Sequence, residues 1–404
     1  MNPEPKANPR ALTLLLNLGH AFDHLALLIF ATAVGAIARE FGVARWEDLM
    51  PWGVGAFVMF GLASLPAGRL GDLWGRRPMM LVFFFGLGAS ALLCSVTQSV
   101  PQLAAALTLL GVFSAIYHPV GIPMLVRHAP NPGATIGVNG LSGNLGIALA
   151  AITTGALVKW LGWRAAFGLP GVLAIALGFV FARVAPREDL APAGRRSARS
   201  TALPPKLLAR VFAVMTVAAM TGGLLFNLTT NGNGQLLSER LHGVVSDPAH
   251  PELGPDSAVL GLLLAGVYAL ASLAQLVVGR LIDRMPLKPL QLGIVLAQVP
   301  LLLLAAYAQG WWLLAALLGV MVLIFGAIPF TDATIVRYID DAMRSRVSGV
   351  RLTVSIGASS VAVWALGPLV KSAGFAALFV GMAGVALCTA LVVSALPTEP
   401  AKAA

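Results

Sequence analysis

The segment Gly68-Arg-Leu-Gly-Asp-Leu-Trp-Gly-Arg-Arg77 has a weaker copy, Gly279-Arg-Leu-Ile-Asp-Arg-Met-Pro-Leu-Lys288, that begins 211 positions later. Further matches at nearly the same offset are Pro119 with Pro329, Arg127 with Arg337, Gly137 with Gly349, and Gly155-Ala-Leu-Val158 with Gly367-Pro-Leu-Val370. The chain is therefore read as two copies of one unit. A repeat of this length is too long for a solenoid, and duplicated halves in a membrane chain indicate a transporter with its site between them.

The composition is that of a membrane protein. Hydrophobic residues make up 58% of the 404 residues and charged residues only 11%, against roughly 25% charged in a typical soluble domain. Twelve apolar runs are each near the roughly 20 residues that a bilayer crossing needs. They cover about 12–38, 51–73, 79–98, 101–125, 133–158, 163–184, 210–238, 256–282, 288–308, 311–336, 346–370 and 373–396.

These runs predict an all-α membrane protein with twelve transmembrane helices in two pseudo-symmetric six-helix bundles. We expect an N-terminal bundle over 1–184, a cytoplasmic linker over 185–209 and a C-terminal bundle over 210–404. The linker is rich in Pro, Ala and Arg and shows no apolar period, which is typical of a connecting segment.

Lys and Arg concentrate in alternate loops, among them those carrying Arg76, Arg77 and Arg127. The positive-inside rule therefore places both termini in the cytoplasm of a multi-pass protein, which we expect in a bacterial cytoplasmic (inner) membrane as a monomer. The net charge of +10 is explained by short loops that face anionic lipid, so nucleic acid is not expected as a partner. Neither Cys94 nor Cys388 predicts a disulfide or a metal-thiolate site.

The loop from Gly68 to Arg77 resembles the signature cytoplasmic loop of the major facilitator superfamily, and its copy lies where that family has one. Gly19-His-Ala-Phe-Asp-His24 and Tyr117-His-Pro-Val-Gly121 are similar to segments of fosmidomycin-resistance-type drug exporters. The resemblance implies a rocker-switch secondary transporter that does not hydrolyse ATP. The sequence contains no nucleotide-binding Gly-x-x-x-x-Gly-Lys-Ser/Thr loop, which agrees with this.

The loop also predicts a cytoplasmic gate. Glycines permit close backbone approach, and a carboxylate can bind a helix N-terminus or an Arg across the interface between halves. The candidate gate residues are Gly68, Arg69, Gly71, Asp72, Gly75, Arg76 and Arg77, with Arg280 and Asp283 in the second copy. The alternative is that the arginines only anchor the topology.

Ionisable side chains inside apolar runs are functional candidates, because a buried charge costs several kcal/mol in a membrane. His20, Asp23 and His24 stand at i, i+3 and i+4, so a helix places all three on one face. Tyr117 and His118 precede Pro119, which we expect to kink helix 4. The alternative is that these histidines are satisfied core donors.

The second half offers a polar counterpart. Asn231 and Gln235 occupy the repeat positions of His20 and His24, within a stretch that begins at Asn227. Asp332 follows Pro329 in helix 10, where a salt bridge to a nearby Arg is the alternative. The two polar clusters predict two faces of one cavity, although Asn and Gln can also serve as contacts between helices.

These residues leave more than one function open. The leading prediction is a proton-coupled exporter of a small organic molecule, with no cofactor, in which His20, Asp23 and His24 carry the proton. The alternative uses the same three residues as ligands of a divalent metal ion or a metal chelate. An intramembrane enzyme is disfavoured, because the sequence offers neither a paired nucleophile and base nor a His-Glu-x-x-His motif.

Overall fold

The computed structural model describes residues 9–127, 129, 132–186, 204–241, 245, 256–338 and 341–397. Within these ranges, the side chains of 132–133, 205, 332, 335–338, 341–354, 356 and 358 are not described. Most of the predicted linker and most of the connection between 239 and 256 therefore lie outside the described residues.

The described chain is helical. Its α-helices are α1 (Pro9–Glu40), α2 (Trp46–Leu49), α3 (Val54–Leu62), α4 (Ser64–Trp74), α5 (Arg76–Ser95), α6 (Val100–Ser114), α7 (Ile122–Val126), α8 (Pro132–Leu161), α9 (Trp163–Val184), α10 (Pro205–Arg240), α11 (Ser257–Ser272), α12 (Ala274–Arg284), α13 (Leu287–Tyr307), α14 (Gly310–Ala327), α15 (Pro329–Tyr338) and α16 (Asp341–Ser394). A 3₁₀ turn covers Met50–Gly53 and a π-helical turn covers Tyr117–Gly121.

Each predicted membrane span has a helical counterpart. Ten helical stretches are long and apolar enough to cross a membrane, and the bent pair Trp46–Leu62 and Ser64–Trp74 makes an eleventh. The last helix, α16, has 54 residues and is interrupted at Gly374, where φ is +77°. At 1.5 Å per residue the parts before and after Gly374 are each long enough for about 30 Å of hydrocarbon. By length and composition the described helices thus offer ten or eleven candidate spans, and Gly374 divides α16 between the last two predicted runs.

The sequence repeat reappears as matching helix breaks. The second span of the first half breaks at Ala63, and its counterpart breaks at Leu273 between α11 and α12. Gly162 ends α8 with a φ of +81°, and Gly374 interrupts α16 with a φ of +77°. Because L-residues rarely adopt such φ values, glycine at both positions allows the chain to turn sharply into the next span. The duplication therefore extends to local backbone geometry.

The helices separate into two compact units. One comprises Met1–Pro192 with Val245–Gly266, and the other comprises Ala193–Val244 with Val267–Ala404. The predicted bundle limits of 1–184 and 210–404 stay a prediction.

In the first unit, α1 packs along α8, and α5 packs along α9. Glycine makes the first pairing close: a Cβ on Gly146 would lie 2.2 Å from the Ala21 carbonyl oxygen. A Cβ on Gly143 would lie 2.7 Å from the His20 ring, whereas a Cβ on Gly137 would meet no described atom within 4 Å. This packing sets how closely the polar residues of α1 approach α8.

In the second unit, α10 packs along α16, and α13 also packs on α16. One apolar core there joins buried residues from five helices: Val214, Val278, Ile282, Leu287, Phe330 and Leu396 lie in or next to α10, α12, α13, α15 and α16. Burial of such side chains contributes about 1.5–3 kcal/mol each in water, and less where lipid is the alternative environment.

Candidate functional site

Three histidines from two parts of the first unit meet at one place. His20 and His24 lie one turn apart on α1, and His118 lies in the π-helical turn. The Nε2 atoms of His20 and His24 are 3.1 Å apart. One ligand-capable atom from each of the three rings lies within 4.8 Å of the others. The α1 spacing was predicted, but the addition of His118 comes from the packing of helices.

The π-helical turn explains how His118 reaches α1. Pro119 lacks an N–H, so the regular hydrogen-bond ladder cannot continue through it, and the backbone widens over Tyr117–Gly121. Tyr117 is fully buried, whereas the His118 side chain is 25% exposed. The predicted kink at Pro119 is therefore a π-helical turn that directs two adjacent side chains into different surroundings.

The orientation of His20 is fixed from two sides. Its Nδ1 lies 2.7 Å from the backbone carbonyl oxygen of Asn139 on α8, and its ring stacks on Tyr117 with centroids 4.7 Å apart. A carbonyl oxygen only accepts, so Nδ1 carries the proton and Nε2 presents its lone pair. A Cβ on Gly143 would lie 2.7 Å from the same ring, so the glycine provides the space that the imidazole occupies.

Asn139 and Tyr117 form the polar support behind His20. The Asn139 amide nitrogen donates to the Tyr117 hydroxyl at 2.7 Å and to the Asn17 side-chain oxygen at 2.9 Å. The Tyr117 hydroxyl donates to the Leu16 carbonyl oxygen at 2.7 Å. This network links α1, the π-helical turn and α8 through buried hydrogen bonds.

Asp23 is the most unusual group of the cluster. It is fully buried, and neither carboxylate oxygen makes a hydrogen bond to any described residue. Its Oδ2 lies 3.7 Å from Nε2 of His118. The Ser114 hydroxyl is also buried and lies near this carboxylate. A carboxylate in such a place is costly when ionised unless a cation or a proton compensates it.

The gate motif packs onto the turn that carries His118. Gly68 and Gly71 of α4 face that turn: added Cβ atoms would lie 3.3 Å from Pro119 Cβ and 3.0 Å from Val120 Cγ2, respectively. Gly75, with a φ of +97°, ends α4 and allows α5 to begin at once. The glycines of the motif thus place α4 directly against the candidate site.

The charged residues of the motif divide into two groups. Arg76 donates to the Pro123 carbonyl oxygen at 3.2 Å, and Arg77 donates to the Ala182 and Ala185 carbonyl oxygens at 2.7 and 3.0 Å. These contacts hold α7 and the end of α9 within the first unit. The exposed side chains are Arg69 and Asp72 on α4, and Arg280 and Asp283 on α12.

In the second unit, one face of α10 carries buried amides. Asn227 donates to the Ser359 hydroxyl at 2.8 Å, and Asn231 donates to the Asn227 carbonyl oxygen at 3.0 Å. Gln235 is half-buried one turn further on. These bonds place Asn227 against α16. Asp332 lies in α15, and its side chain is outside the described residues.

Sequence reasoning did not single out several buried polar residues. Asn139, Asn144 and Ser114 are at most 5% exposed in the first unit, and Asn233 is 1% exposed in the second. The Asn233 side-chain nitrogen lies 3.5 Å from Met321 Sδ. The available signal was the one used for His20, namely a polar residue inside an apolar run. Sequence reasoning applied this signal to ionisable residues and to amides near the repeat positions of His20 and His24, and so passed over these four residues.

Comparison with known proteins identifies the family. The family model of the Major Facilitator Superfamily matches residues 16–242 and 234–404, so the chain belongs to this superfamily. Its described helices are those of a multi-pass membrane protein of this superfamily. The predicted family and fold are thus confirmed.

Several relatives are named as exporters or resistance proteins. The chain is 32% identical over 211 residues to the probable actinorhodin transporter of Streptomyces coelicolor, covering 50% of this chain and 32% of that protein. It is 27% identical over 175 residues to the puromycin resistance protein pur8 of Streptomyces alboniger, covering 42% and 33%. The chain therefore spans about a third of the length of these curated relatives.

A solved structure agrees with the fold. A bacterial homologue of the human lysosomal transporter Spinster superimposes with a TM-score of 0.70 at 14% identity, over 98% of this chain and 95% of that chain. At this sequence identity the similarity supports only the shared fold.

Proposed function

We propose that the protein is a proton-coupled secondary transporter that exports a small organic molecule by alternating access. The observation that carries the proposal is Asp23, a fully buried carboxylate without a hydrogen-bond partner among the described residues. A group in this position is far more stable when a proton or another cation neutralises it, so its protonation is coupled to the local structure.

His118 offers Asp23 a route for the proton. Its Nε2 is 3.7 Å from the Asp23 carboxylate, and its side chain is 25% exposed, so it connects the buried group with the surface of the unit. Histidine is the side chain whose charge changes near neutral pH, which suits such a relay. His20 and His24 adjoin it, with ring centroids 5.0 and 5.9 Å from that of His118. In this proposal Asp23 holds the coupling proton and His118 passes it on.

Uncharged polar side chains contribute to substrate recognition in this proposal. We assign contacts to substrate to Tyr117, Asn227, Asn231 and Gln235, because amides and hydroxyls can give oriented hydrogen bonds to an organic ligand. Asp332 is proposed as a further member of this group.

The gate is proposed to act through the glycine contacts. Since Gly68 and Gly71 lie against the turn carrying His118, a movement of α4 displaces the proton relay. Asp72 and Arg69, together with Asp283 and Arg280, are proposed to make charged contacts that form in one state and break in another. Arg76 and Arg77 hold the first unit together in this scheme.

The names of the relatives suggest the substrate class. Relatives are named for actinorhodin, puromycin and tetracenomycin C, so we propose efflux of organic antibiotics of comparable size. The protein is proposed to reside as a monomer in a bacterial inner membrane with both termini in the cytoplasm.

The test uses inverted membrane vesicles with an acidic interior reported by a pH-sensitive dye. Addition of puromycin or tetracenomycin C should release protons from vesicles containing the wild-type protein. Asp23→Asn should abolish this release, because the amide cannot exchange a proton, while puromycin still shifts the thermal unfolding temperature. Glu239→Gln, which neutralises an exposed carboxylate of α10, is the matched control and should behave as the wild type.

Two results contradict the proposal. Substrate accumulation that persists without a pH gradient shows that protons do not drive transport. Asp23→Asn vesicles that release protons at the wild-type rate show that another residue carries the proton.

A further inference from the structure

We propose that His20, His24 and His118 form a binding site for a divalent transition-metal ion. The inference rests on the arrangement of the three rings and is independent of proton coupling. It differs from the set of His20, Asp23 and His24 that the sequence suggests, because the structure brings in His118 and places Asp23 beside it.

The distances suit a common metal ion. With metal–nitrogen bonds of about 2.0–2.1 Å, two neighbouring ligand atoms lie about 3.0–3.4 Å apart. The Nε2 atoms of His20 and His24 are 3.1 Å apart. Ligand-capable atoms of all three rings already lie within 4.8 Å of one another, so rotation of the partly exposed His118 ring brings it into the same coordination sphere.

The hydrogen bond of His20 prepares it as a ligand. Its Nδ1 donates to the Asn139 carbonyl oxygen at 2.7 Å, which leaves the Nε2 lone pair directed toward His24. Metal-bound histidines characteristically donate their second N–H to a carbonyl or carboxylate oxygen. Asn139 is itself held by Tyr117 and Asn17, so the ligand is oriented before any ion arrives.

Asp23 gives the site its charge. It lies 3.7 Å from Nε2 of His118, and no described residue donates a hydrogen bond to it. With His118 coordinating through Nδ1, its Nε2–H faces the Asp23 carboxylate, as in carboxylate–histidine–metal arrangements. A divalent cation beside this buried anion compensates its negative charge.

The ligand set defines the class of ion. Three neutral imidazoles suit Zn²⁺, Co²⁺, Ni²⁺ and Cu²⁺, whereas Mg²⁺ and Ca²⁺ prefer oxygen ligands. Three protein ligands also leave at least one coordination position for water or for a donor atom of a cargo molecule. The proposed site therefore keeps a coordination position for an exchangeable ligand, which allows the ion or a bound cargo molecule to leave.

The experiment measures binding of ZnCl₂ and CoCl₂ to purified full-length protein without a polyhistidine tag. Calorimetry should show one Zn²⁺ per chain, and Co²⁺ should give the visible absorption of a low-coordinate nitrogen site. His24→Gln and His118→Gln should each weaken Zn²⁺ binding at least tenfold. His250→Gln, which changes a histidine more than a hundred positions along the chain from all three ligands, is the matched control and should bind as the wild type.

Asp23→Asn separates this inference from proton coupling. Zn²⁺ binding should weaken by about 10–100-fold without disappearing, since Asp23 supports a ligand and is not one itself. Unfolding temperatures of all variants without metal show whether each is folded. The inference is overturned when the wild type binds neither ion saturably, or when the folded double variant His24→Gln, His118→Gln binds Zn²⁺ as the wild type does. Proton release by puromycin that continues in the presence of a chelator leaves the transport proposal standing in either case.

Discussion

At Tyr117, a single side chain joins three elements. Its hydroxyl donates to Leu16 of α1 and accepts from Asn139 of α8, and its ring stacks on His20. The adjacent His118 points elsewhere, toward Asp23. The interactions of Tyr117 and His118 depend on residues distant in sequence. A Tyr-His pair in a helix does not by itself show which residues each side chain contacts.

Tyr117→Phe should destabilise the protein by about 1 kcal/mol, because the Asn139 amide loses its hydroxyl acceptor and the Leu16 carbonyl loses a donor in a buried place. The measurement is the thermal unfolding temperature in detergent. Tyr307→Phe removes a hydroxyl from a side chain that is 71% exposed and should leave that temperature unchanged. Equal shifts in the two variants would show that the buried network does not stabilise the fold.

At the scale of elements, the spacing between α1 and α8 controls the site. The two helices approach so closely that an added Cβ at Gly146 would lie 2.2 Å from the Ala21 carbonyl oxygen and one at Gly143 would lie 2.7 Å from the His20 ring. Neither the Ala21 carbonyl oxygen nor the His20 ring, which is held on two sides, can easily move to make room for a methyl group. The helix pair therefore tolerates no side chain at these positions without separating.

Gly146→Ala should lower the unfolding free energy by about 1–3 kcal/mol through overpacking. Gly137→Ala lies on the same helix where an added Cβ meets no described atom within 4 Å, and it should stabilise the helix by up to about 1 kcal/mol. Denaturation of the purified variants in one detergent compares them directly. Stabilisation by both substitutions would contradict the close approach of α1 and α8.

At the scale of the whole molecule, duplication is visible in the breaks of the helices. Ala63 and Leu273 interrupt equivalent spans, and Gly162 and Gly374 turn the chain at equivalent points. The break that holds Tyr117–Gly121 in the first half corresponds to Ala327–Pro329 between α14 and α15 in the second. The two halves thus share matching helix breaks, although His20 and His24 of the first correspond to Asn231 and Gln235 of the second.

The distribution of Lys and Arg predicts which loops and termini face the cytoplasm. A fluorescent protein fused after Ala404 should fluoresce, because it folds in the cytoplasm. Alkaline phosphatase fused after residue 45 should be active outside, whereas the same reporter fused after residue 190 should be inactive. The reverse pattern of phosphatase activities would invert the proposed topology.

The sequence predicted the helical spans and the duplication well, because membrane crossing depends on local hydrophobicity and because a repeat is visible as an offset. It also placed His20, Asp23 and His24 on one helical face, since a helical face follows from spacing alone. The π-helical turn at Pro119 was predicted only as a kink, because backbone widening depends on what packs against the turn.

Local spacing and composition were enough to predict the class of fold, the helical character of the apolar runs and the shared helical face of the polar residues of α1, because each of these depends on interactions within a few turns or on the apolar solvent around a span. The tertiary structure was needed to show that His118 lies beside His20 and His24 and that Asn139 orients His20. It was also needed to show that the Asp23 carboxylate is buried. These relations join residues about a hundred positions apart, and they follow from glycine-mediated packing of α8 on α1 and of α4 on the π-helical turn.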